Sequence, residues 1–314
     1  MGKIAFIFPG QGAQYVGMGK ELSDNLPCCL EVFEWADREL GFSISNLCFN
    51  GPKEELDKTE NTQPAILAVS IAALSALKAK GIKADVVAGL SLGEYSALVA
   101  SGVLSFEATV SLVKKRGKFM QEAVPKGKGS MAAIIGLSKE QVIECCVDAG
   151  KIGIVEPANF NCPGQVVIGG EVEAVKAACV NAKEKGAFKT IPLAVSAPFH
   201  TSMLKIAAEK LEEELKTIDI NNMKVPVITN VTGNYIIKKD EIKKLLKYQV
   251  MNAVQWEDTL RRMVADGVDT FIEIGPGKVL SGFVKKLDRK LVCTNVEDMG
   301  SLEKTLEILG GKQC

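Results

Sequence analysis

The fold of this chain is decided by the stretch Val86-Val87-Ala88-Gly89-Leu90-Ser91-Leu92-Gly93-Glu94-Tyr95-Ser96-Ala97-Leu98. Its short apolar run predicts a buried strand, and a helix-compatible run starts at Glu94. Between them lies Gly-x-Ser-x-Gly, which in α/β-hydrolase-like proteins is a strained turn that presents a serine hydroxyl at the top of a sheet. The glycines are needed because so sharp a turn leaves no room for a Cβ atom. An ordinary strand-to-helix turn that carries Ser91 is the alternative, since the motif is short.

Composition argues against several classes of protein. The 314 residues can bury a large core, as one big domain or two modest ones. Apolar residues make up 47% and charged residues 24%, as in an ordinary globular protein. The 38 basic and 38 acidic residues cancel, which argues against general nucleic-acid binding. No apolar run approaches bilayer-spanning length and the first one is too short for a signal peptide, so we expect a cytoplasmic protein with no membrane partner.

Cysteine and histidine usage narrows the chemistry. The nine cysteines are scattered, with no Cys-x-x-Cys and no histidine near them in sequence, so we expect reduced thiols and no metal site. The chain has one histidine, His200. If the protein uses a serine nucleophile and a histidine base, His200 is that base.

The order of predicted elements indicates two domains. Strands alternating with helices favour a mostly parallel sheet, and we predict a large α/β-hydrolase-like domain from residues 1–127 and 196–314. Residues 128–195 have the order β-α-β-β-α-β, with two of the strands predicted at 152–155 and 165–168. That order matches the ferredoxin-like unit. We therefore predict a small ferredoxin-like domain inserted into the large one.

A cleft between these domains is the expected site, because sites tend to form at domain interfaces. Ser91 follows a strand of the large domain, and His200 lies where the chain re-enters that domain. A lone histidine is more often structural than catalytic, but the loop position beside Pro198 favours a base. The loop at 9–14 lacks phosphate-loop spacing, and we interpret it as exposed backbone amides at the carboxyl edge of the sheet.

Six motifs occur in order along the chain: Phe8-Pro9-Gly10-Gln11-Gly12-Ala13-Gln14, Gly89-Leu90-Ser91-Leu92-Gly93-Glu94-Tyr95, Lys115-Arg116-Gly117-Lys118-Phe119-Met120, Asn159-Phe160-Asn161-Cys162-Pro163-Gly164-Gln165, Phe199-His200 and Asn252-Ala253-Val254-Gln255-Trp256. Together they resemble the malonyl-CoA:acyl carrier protein transacylase family, the acyltransferases of fatty acid and polyketide synthesis. The likeness covers essentially the whole chain. Several separated motifs in order are far more specific than the serine turn alone.

The resemblance implies a role for each of five backbone or side-chain groups. Ser91 is the implied nucleophile and His200 the base, with the backbone carbonyl of Gln249 orienting the imidazole where hydrolases use a carboxylate. The backbone amides of Gln11 and Leu92 are the implied oxyanion hole. Losing one such donor costs roughly 3 kcal/mol of transition-state stabilisation in comparable sites.

Two further residues are implied to select the acyl group. Arg116 would bind the free malonyl carboxylate, for which a guanidinium offers two parallel hydrogen bonds. From charge patterning alone, Arg116 is instead one member of a solvated basic face with Lys114, Lys115 and Lys118. Phe199 resembles the residue of malonyl-selective relatives, since its bulk narrows the space at the acyl α-carbon.

Two places depart from the family pattern: Met251-Asn252-Ala253 replaces the more familiar Tyr-Asn-Pro, a peripheral change, and the other lies beside Ser91. Most relatives read Gly-His-Ser-x-Gly, whereas this chain has Leu90 before the nucleophile. Because Leu90 is not itself the base, we expect tuning of the activity rather than its loss.

The resemblance implies transfer of malonyl from malonyl-CoA to the phosphopantetheine thiol of acyl carrier protein, through a malonyl-serine intermediate, for fatty acid biosynthesis. A free-standing acyltransferase of a polyketide synthase is the main alternative. A hydrolase using the same Ser-His pair and a non-catalytic scaffold are two more. We expect a monomer whose substrate is malonyl-CoA and which has no permanently bound cofactor.

Overall fold

The structure, a computed structural model, describes residues 2–195 and 197–310. Within these ranges the chain forms ten strands: β1 (Lys3–Phe8), β2 (Val86–Gly89), β3 (Gly129–Ile135), β4 (Val155–Cys162), β5 (Gln165–Glu171), β6 (Lys189–Pro192), β7 (Val227–Ile228), β8 (Val254–Gln255), β9 (Val268–Ile274) and β10 (Val292–Val296).

The same ranges contain fourteen α-helices: α1 (Lys20–Asn25), α2 (Pro27–Leu40), α3 (Ile44–Asn50), α4 (Lys53–Leu56), α5 (Thr59–Ala79), α6 (Gly93–Ala100), α7 (Phe106–Glu122), α8 (Lys139–Ala149), α9 (Val172–Glu184), α10 (Lys205–Lys216), α11 (Ile242–Met251), α12 (Trp256–Ala265), α13 (Val279–Leu287) and α14 (Met299–Gly310). Two short 3-10 helices lie at Ser202–Leu204 and Lys239–Glu241.

The first sheet is wholly parallel, with the strand order β10-β9-β1-β2-β7. All four residues of β2 are buried, as expected of a strand covered on both faces by helices. In the register of β1 and β2, Phe8 pairs with Gly89 at the carboxyl end of both strands. The loops that follow them therefore leave the sheet side by side, at the edge where open α/β sheets bind ligands.

The second sheet has the order β6-β3-β5-β4-β8. Its first four strands are antiparallel neighbours. Together with α8 and α9 they form the predicted β-α-β-β-α-β unit, around a core that includes Val142, Ile168 and Val175. The α/β class, with a mostly parallel sheet and this second sheet, is confirmed. The division at 128 and 196 stays a prediction, because β8 of the second sheet comes from outside that range and residues 196 and 311–314 lie outside the described ones.

One predicted strand is misplaced. Of the apolar run at 152–155 only Val155 belongs to a strand, and Ile152 is 62% exposed. The strand instead begins at Val155 and continues to Cys162 through polar Asn159 and Asn161, both of which line the main cleft. The position of this strand is set by its pairing with β5 and by its place along the polar cleft, and not by the apolar pattern at 152–155.

The core helix α5 corrects the expectation that no apolar run approaches bilayer-spanning length. Its 21 residues make it the single helix in the described residues that is long and apolar enough to cross a membrane, so the sequence does contain such a run. However, 83% of its most apolar window is buried inside the protein, within the main hydrophobic core. A core helix passes the same length and composition test as a membrane span.

Candidate active site

The serine turn joins β2 to α6. Ser91 has φ +54°, in the left-handed region that residues with a Cβ rarely adopt. A Cβ on Gly89 would collide with the Gly93 carbonyl, and a Cβ on Gly93 would collide with the Phe8 carbonyl. The two motif glycines therefore allow the turn to close against β1, and the resulting geometry presents the Ser91 side chain to the cleft.

His200 also has a positive φ, +61°, and is 3% exposed. Its Nε2 lies 2.7 Å from Ser91 Oγ, and its Nδ1 lies 2.7 Å from the Gln249 backbone carbonyl oxygen. Because a carbonyl oxygen can only accept, Nδ1 carries the proton and donates it. Nε2 is then the unprotonated nitrogen that can accept the Ser91 hydroxyl proton.

The electrostatics keep His200 neutral. Burial, and secondarily the Arg116 charge, lower the pKa of His200 to about 4, while the hydrogen bond to the Gln249 carbonyl acts weakly in the other direction. At neutral pH the imidazole is therefore uncharged and free to take a proton, as a general base requires.

Arg116 is buried in the same site. It is 1% exposed, and its Nη1 donates to Gln63 Oε1 at 2.7 Å. Its Nη2 donates to Gln249 Oε1 at 2.9 Å and lies 3.4 Å from Ser91 Oγ. Burial lowers the pKa of Arg116, but the guanidinium remains charged because its ordinary pKa is so high.

The neighbouring lysines are elsewhere. Lys115 is exposed on α7 and pairs with Glu214 at 2.6 Å, and Lys118 is exposed beside Glu122. Arg116 is therefore not part of the solvated basic face that charge patterning favoured. It is the member of the run that lies on the buried side of the helix.

Two backbone amides lie beside Ser91. Gln11 follows β1 and Leu92 precedes α6, and both line the cleft with Ser91. A Cβ on Gly10 would be 2.5 Å from the Leu90 carbonyl oxygen. Because glycine has no Cβ, the two loops can approach this closely. Neither the Gln11 nor the Leu92 backbone N–H finds an acceptor in the described part of the chain. Both donors are available to a ligand.

The cleft itself has a volume of about 520 Å³ and is lined by strands of the second sheet and by the loops that follow β1 and β2 of the first. Phe199, 7% exposed, forms part of its wall next to His200. Leu90 is half-buried and packs against the apolar cluster that includes Leu280 and Phe283 of α13. Leu90 therefore gives the cleft an apolar surface immediately before Ser91.

Four polar residues of this site were not singled out from the sequence: Gln63, Glu94, Asn161 and Asn230. Each is at most 7% exposed. Gln63 is a polar residue in an apolar helix, and Asn230 follows a parallel strand at its carboxyl end. Both positions could have been recognised from the sequence as candidate site residues. Asn161 Oδ1 is buried with no hydrogen-bond partner among the described residues. A grouping of three or more His, Cys, Asp or Glu side chains suited to a metal ion does not occur within residues 2–195 and 197–310.

Known proteins share this whole architecture. The profile of the acyl transferase domain family matches residues 5–305. A curated relative, the malonyl CoA-acyl carrier protein transacylase of Bacillus subtilis (strain 168), is 50% identical over 312 residues, covering 98% of both chains. The crystal structure of the protein of the same name from Clostridium perfringens Atcc 13124 superposes with a TM-score of 0.97 at 52% identity, covering 99% of this chain and 98% of that one.

A third comparison shows a relative together with its partner. It is a malonyl-transacylase in complex with a type II PKS acyl-carrier protein, with a TM-score of 0.95 and 43% identity over 98% of this chain and 99% of that one. The curated relative and the two solved structures each cover at least 98% of this chain at identities of 43% or more. The chain belongs to the acyl transferase domain family, among the malonyl CoA-acyl carrier protein transacylases.

Proposed function

We propose that this protein transfers the malonyl group of malonyl-CoA to the phosphopantetheine thiol of an acyl carrier protein, through a malonyl-serine intermediate. The observation that carries the proposal is the pair of contacts to Ser91 Oγ: His200 Nε2 at 2.7 Å and Arg116 Nη2 at 3.4 Å. A base and a fixed cation beside one hydroxyl suit an acyl donor that bears its own carboxylate.

In the first half-reaction, Ser91 Oγ attacks the thioester carbonyl carbon while His200 Nε2 takes the hydroxyl proton. The carbonyl oxygen becomes an oxyanion, and the amides of Gln11 and Leu92 donate hydrogen bonds to it. When the C–S bond breaks, the protonated His200 gives its proton to the departing CoA sulfur. The products are malonyl-Ser91 and free CoA.

The second half-reaction repeats these steps with the carrier protein. Its phosphopantetheine thiol loses a proton to His200 and attacks the malonyl-serine carbonyl. The ester C–O bond breaks, Ser91 Oγ recovers the proton from His200, and the malonyl thioester leaves on the carrier. The leaving group of the first step and the nucleophile of the second are both thiols.

A carbonyl partner for His200 is compatible with this chemistry. The Gln249 carbonyl fixes the tautomer but brings no full negative charge to stabilise an imidazolium. A thiol has a pKa of about 8.5, so a thiolate leaves with much less help from an acid than an amine does. Thioester exchange therefore needs less stabilisation of the imidazolium than amide hydrolysis does.

Arg116 is the proposed contact of the malonyl carboxylate. Gln63 and Gln249 already hold its guanidinium from the sides, which reduces the ordering cost when a substrate binds. Phe199 is the proposed limit on space at the α-carbon, since it lies in the cleft wall beside His200. Asn161, with its unpartnered Oδ1, is a suitable acceptor for an amide N–H of the phosphopantetheine arm.

Intact-mass spectrometry after mixing with malonyl-CoA tests the proposal. We expect one malonyl adduct, absent in Ser91→Ala and removed when holo acyl carrier protein is added. A wild-type protein that gains no adduct, or that releases free malonate to water faster than it loads the carrier, would contradict transfer and favour the hydrolase alternative.

The acceptor has two candidates. The resemblance of the motifs implies a fatty acid carrier protein, and the curated relatives are named for an acyl carrier protein, whereas the complex with a type II PKS carrier favours a polyketide one. Transfer rates to the two kinds of holo carrier protein, measured side by side, discriminate between them. We propose the fatty acid carrier.

We also propose that the protein is a monomer in the cytoplasm. The eight described cysteines are free thiols, as expected in a reducing compartment. Size-exclusion chromatography with light scattering tests the monomer. Malonyl-CoA enters as substrate, and the proposed steps use side chains and backbone amides of this chain alone.

A further inference from the structure

A buried carboxyl lies behind the nucleophile and takes no part in the steps above. Glu94, in the first turn of α6, is 0% exposed. Its Oε2 accepts hydrogen bonds from the Asn230 backbone N–H at 3.1 Å and from Gln249 Nε2 at 2.8 Å. Burial raises the pKa of Glu94. Burying a carboxyl is costly unless it is hydrogen-bonded, and here both hydrogen bonds fall on Oε2, while Oε1 has no hydrogen-bond partner among the described residues.

The first donor leads to the serine turn. Asn230 Oδ1 accepts the Ser91 backbone N–H at 2.6 Å, and its Nδ2 donates to the Gly89 carbonyl at 2.6 Å. One side chain thus bridges both sides of the turn that holds Ser91 at φ +54°. A residue in that region persists only when its surroundings hold it there.

The second donor leads to the guanidinium. Gln249 Nε2 donates to Glu94 and to the Ser91 carbonyl at 2.8 Å, while its Oε1 accepts from Arg116 Nη2. A guanidinium has no acceptor, so the Gln249 amide can only present its oxygen to Arg116. Two acceptors on the nitrogen side keep that orientation.

We propose that Glu94 is a positioning residue, whose Oε2 sets the Ser91 turn through Asn230 and the direction of the Arg116 guanidinium through Gln249. The inference rests on the proposed function, in which Ser91 and Arg116 contact the malonyl group. It concerns the acceptor atom, because both partners are N–H donors. An amide oxygen at the same place satisfies them and a methyl group does not.

The experiment compares Glu94→Gln, which keeps an acceptor, with Glu94→Met, which keeps the volume. Acylation is measured with malonyl-CoA, which needs Arg116, and with p-nitrophenyl acetate, a neutral ester that does not. For Glu94→Met we expect kcat/KM for malonyl-CoA to fall roughly 100-fold with a higher KM, and for the ester about tenfold, the range for leaving a buried hydrogen-bond donor without its acceptor. Glu94→Gln should keep malonyl activity within about fivefold.

Glu273 provides a matched control. It is also 0% exposed, and its carboxyl accepts from the Leu280 and Ser281 backbone amides at 3.1 and 2.7 Å. Glu273→Met should lower the melting temperature without changing the ratio of malonyl to ester rates. If Glu94→Met does not fold, Glu94→Asp replaces it, because the shorter side chain withdraws the acceptor and should lower the same ratio.

Two results would overturn the inference. In the first, the Glu94 variants lower the malonyl-CoA rate and the ester rate by the same factor, which is the result expected of Glu273→Met through lost stability alone. In the second, Glu94→Gln is as impaired as Glu94→Met, which would make the carboxyl charge the requirement. Failure of the proposed function shows separately, as a wild-type protein that takes the ester on Ser91 but no malonyl group.

Discussion

Ser91 and His200 lie 2.7 Å apart through Oγ and Nε2, and they are the two residues other than glycine in the described ranges that have a positive φ. They are 109 positions apart in the chain. Left-handed backbone at a residue with a Cβ costs of order 1 kcal/mol or more, and such strain concentrates at functional sites. Both loops are held in unfavourable conformations that bring one hydroxyl and one imidazole together.

The turn should not tolerate a methyl group at its second glycine. We expect Gly93→Ala to lower the free energy of unfolding by about 3 kcal/mol or more, because the new Cβ meets the Phe8 carbonyl. Gly282→Ala is the control, since Gly282 lies in α13 with no atom within 4 Å of an added Cβ. That change should stabilise by about 0.5–1 kcal/mol. Urea denaturation measures both, and equal effects would contradict the close approach.

The single histidine should make stability depend on pH. The pKa of His200 is about 4 in the folded protein and about 6.5 in the unfolded chain, so the unfolded state binds a proton that the folded state refuses. The contribution of neutral His200 to the free energy of unfolding is complete above pH 6.5. It is lost as the pH falls from 6.5 towards 4, by about 3 kcal/mol at most.

A comparison with His200→Gln isolates this effect. Burial raises the pKa of Glu273 to about 7, so that carboxyl acts in the opposite sense over the same range. The difference in unfolding free energy between wild type and His200→Gln, followed from pH 7.5 to pH 4, removes the carboxyl contribution. A difference that does not shrink as the solution is acidified would show that His200 is not held neutral.

Arg116 should decide which acyl groups are accepted. For Arg116→Ala we expect kcat/KM with malonyl-CoA to fall by roughly 100-fold or more, because the carboxylate would enter a buried site without its cation. Acetyl-CoA should be accepted at least as well as by wild type. Arg116→Lys should restore little, since an ammonium cannot offer the two parallel hydrogen bonds of a guanidinium. Unchanged malonyl rates in Arg116→Ala would remove the residue from this role.

Leu90 should tune the rate rather than permit it. Its side chain forms an apolar part of the cleft and donates no hydrogen bond to Ser91 or His200. We expect Leu90→His to change acylation by malonyl-CoA by less than about tenfold, a shift of roughly 1.4 kcal/mol in the barrier. Stopped-flow acylation rates check this. A complete loss of activity would mean that the apolar contact of Leu90 with α13 is required.

Local sequence was sufficient for the strand, turn and helix around Ser91. Gly89 and Gly93 lie within five residues of each other and leave a readable motif, although the atom that excludes a Cβ at Gly93 is the carbonyl oxygen of Phe8 in β1. The same holds for the β-α-β-β-α-β order, because alternation and capping are local properties. The strand at Val155–Cys162 was misplaced because its polar residues face a cleft that local hydropathy does not describe.

The sequence by itself determined the α/β class, the candidate nucleophile and, through the single histidine, the candidate base. Only the tertiary structure decided that Arg116 is buried while Lys115 is exposed, and that Glu94 and Asn230 lie behind the serine. The reason is distance along the chain. The hydrogen bonds that Ser91 makes with Asn230 and Gln249 span 139 and 158 positions, and no periodicity records such contacts. They exist only once β2, β7 and α11 are packed together.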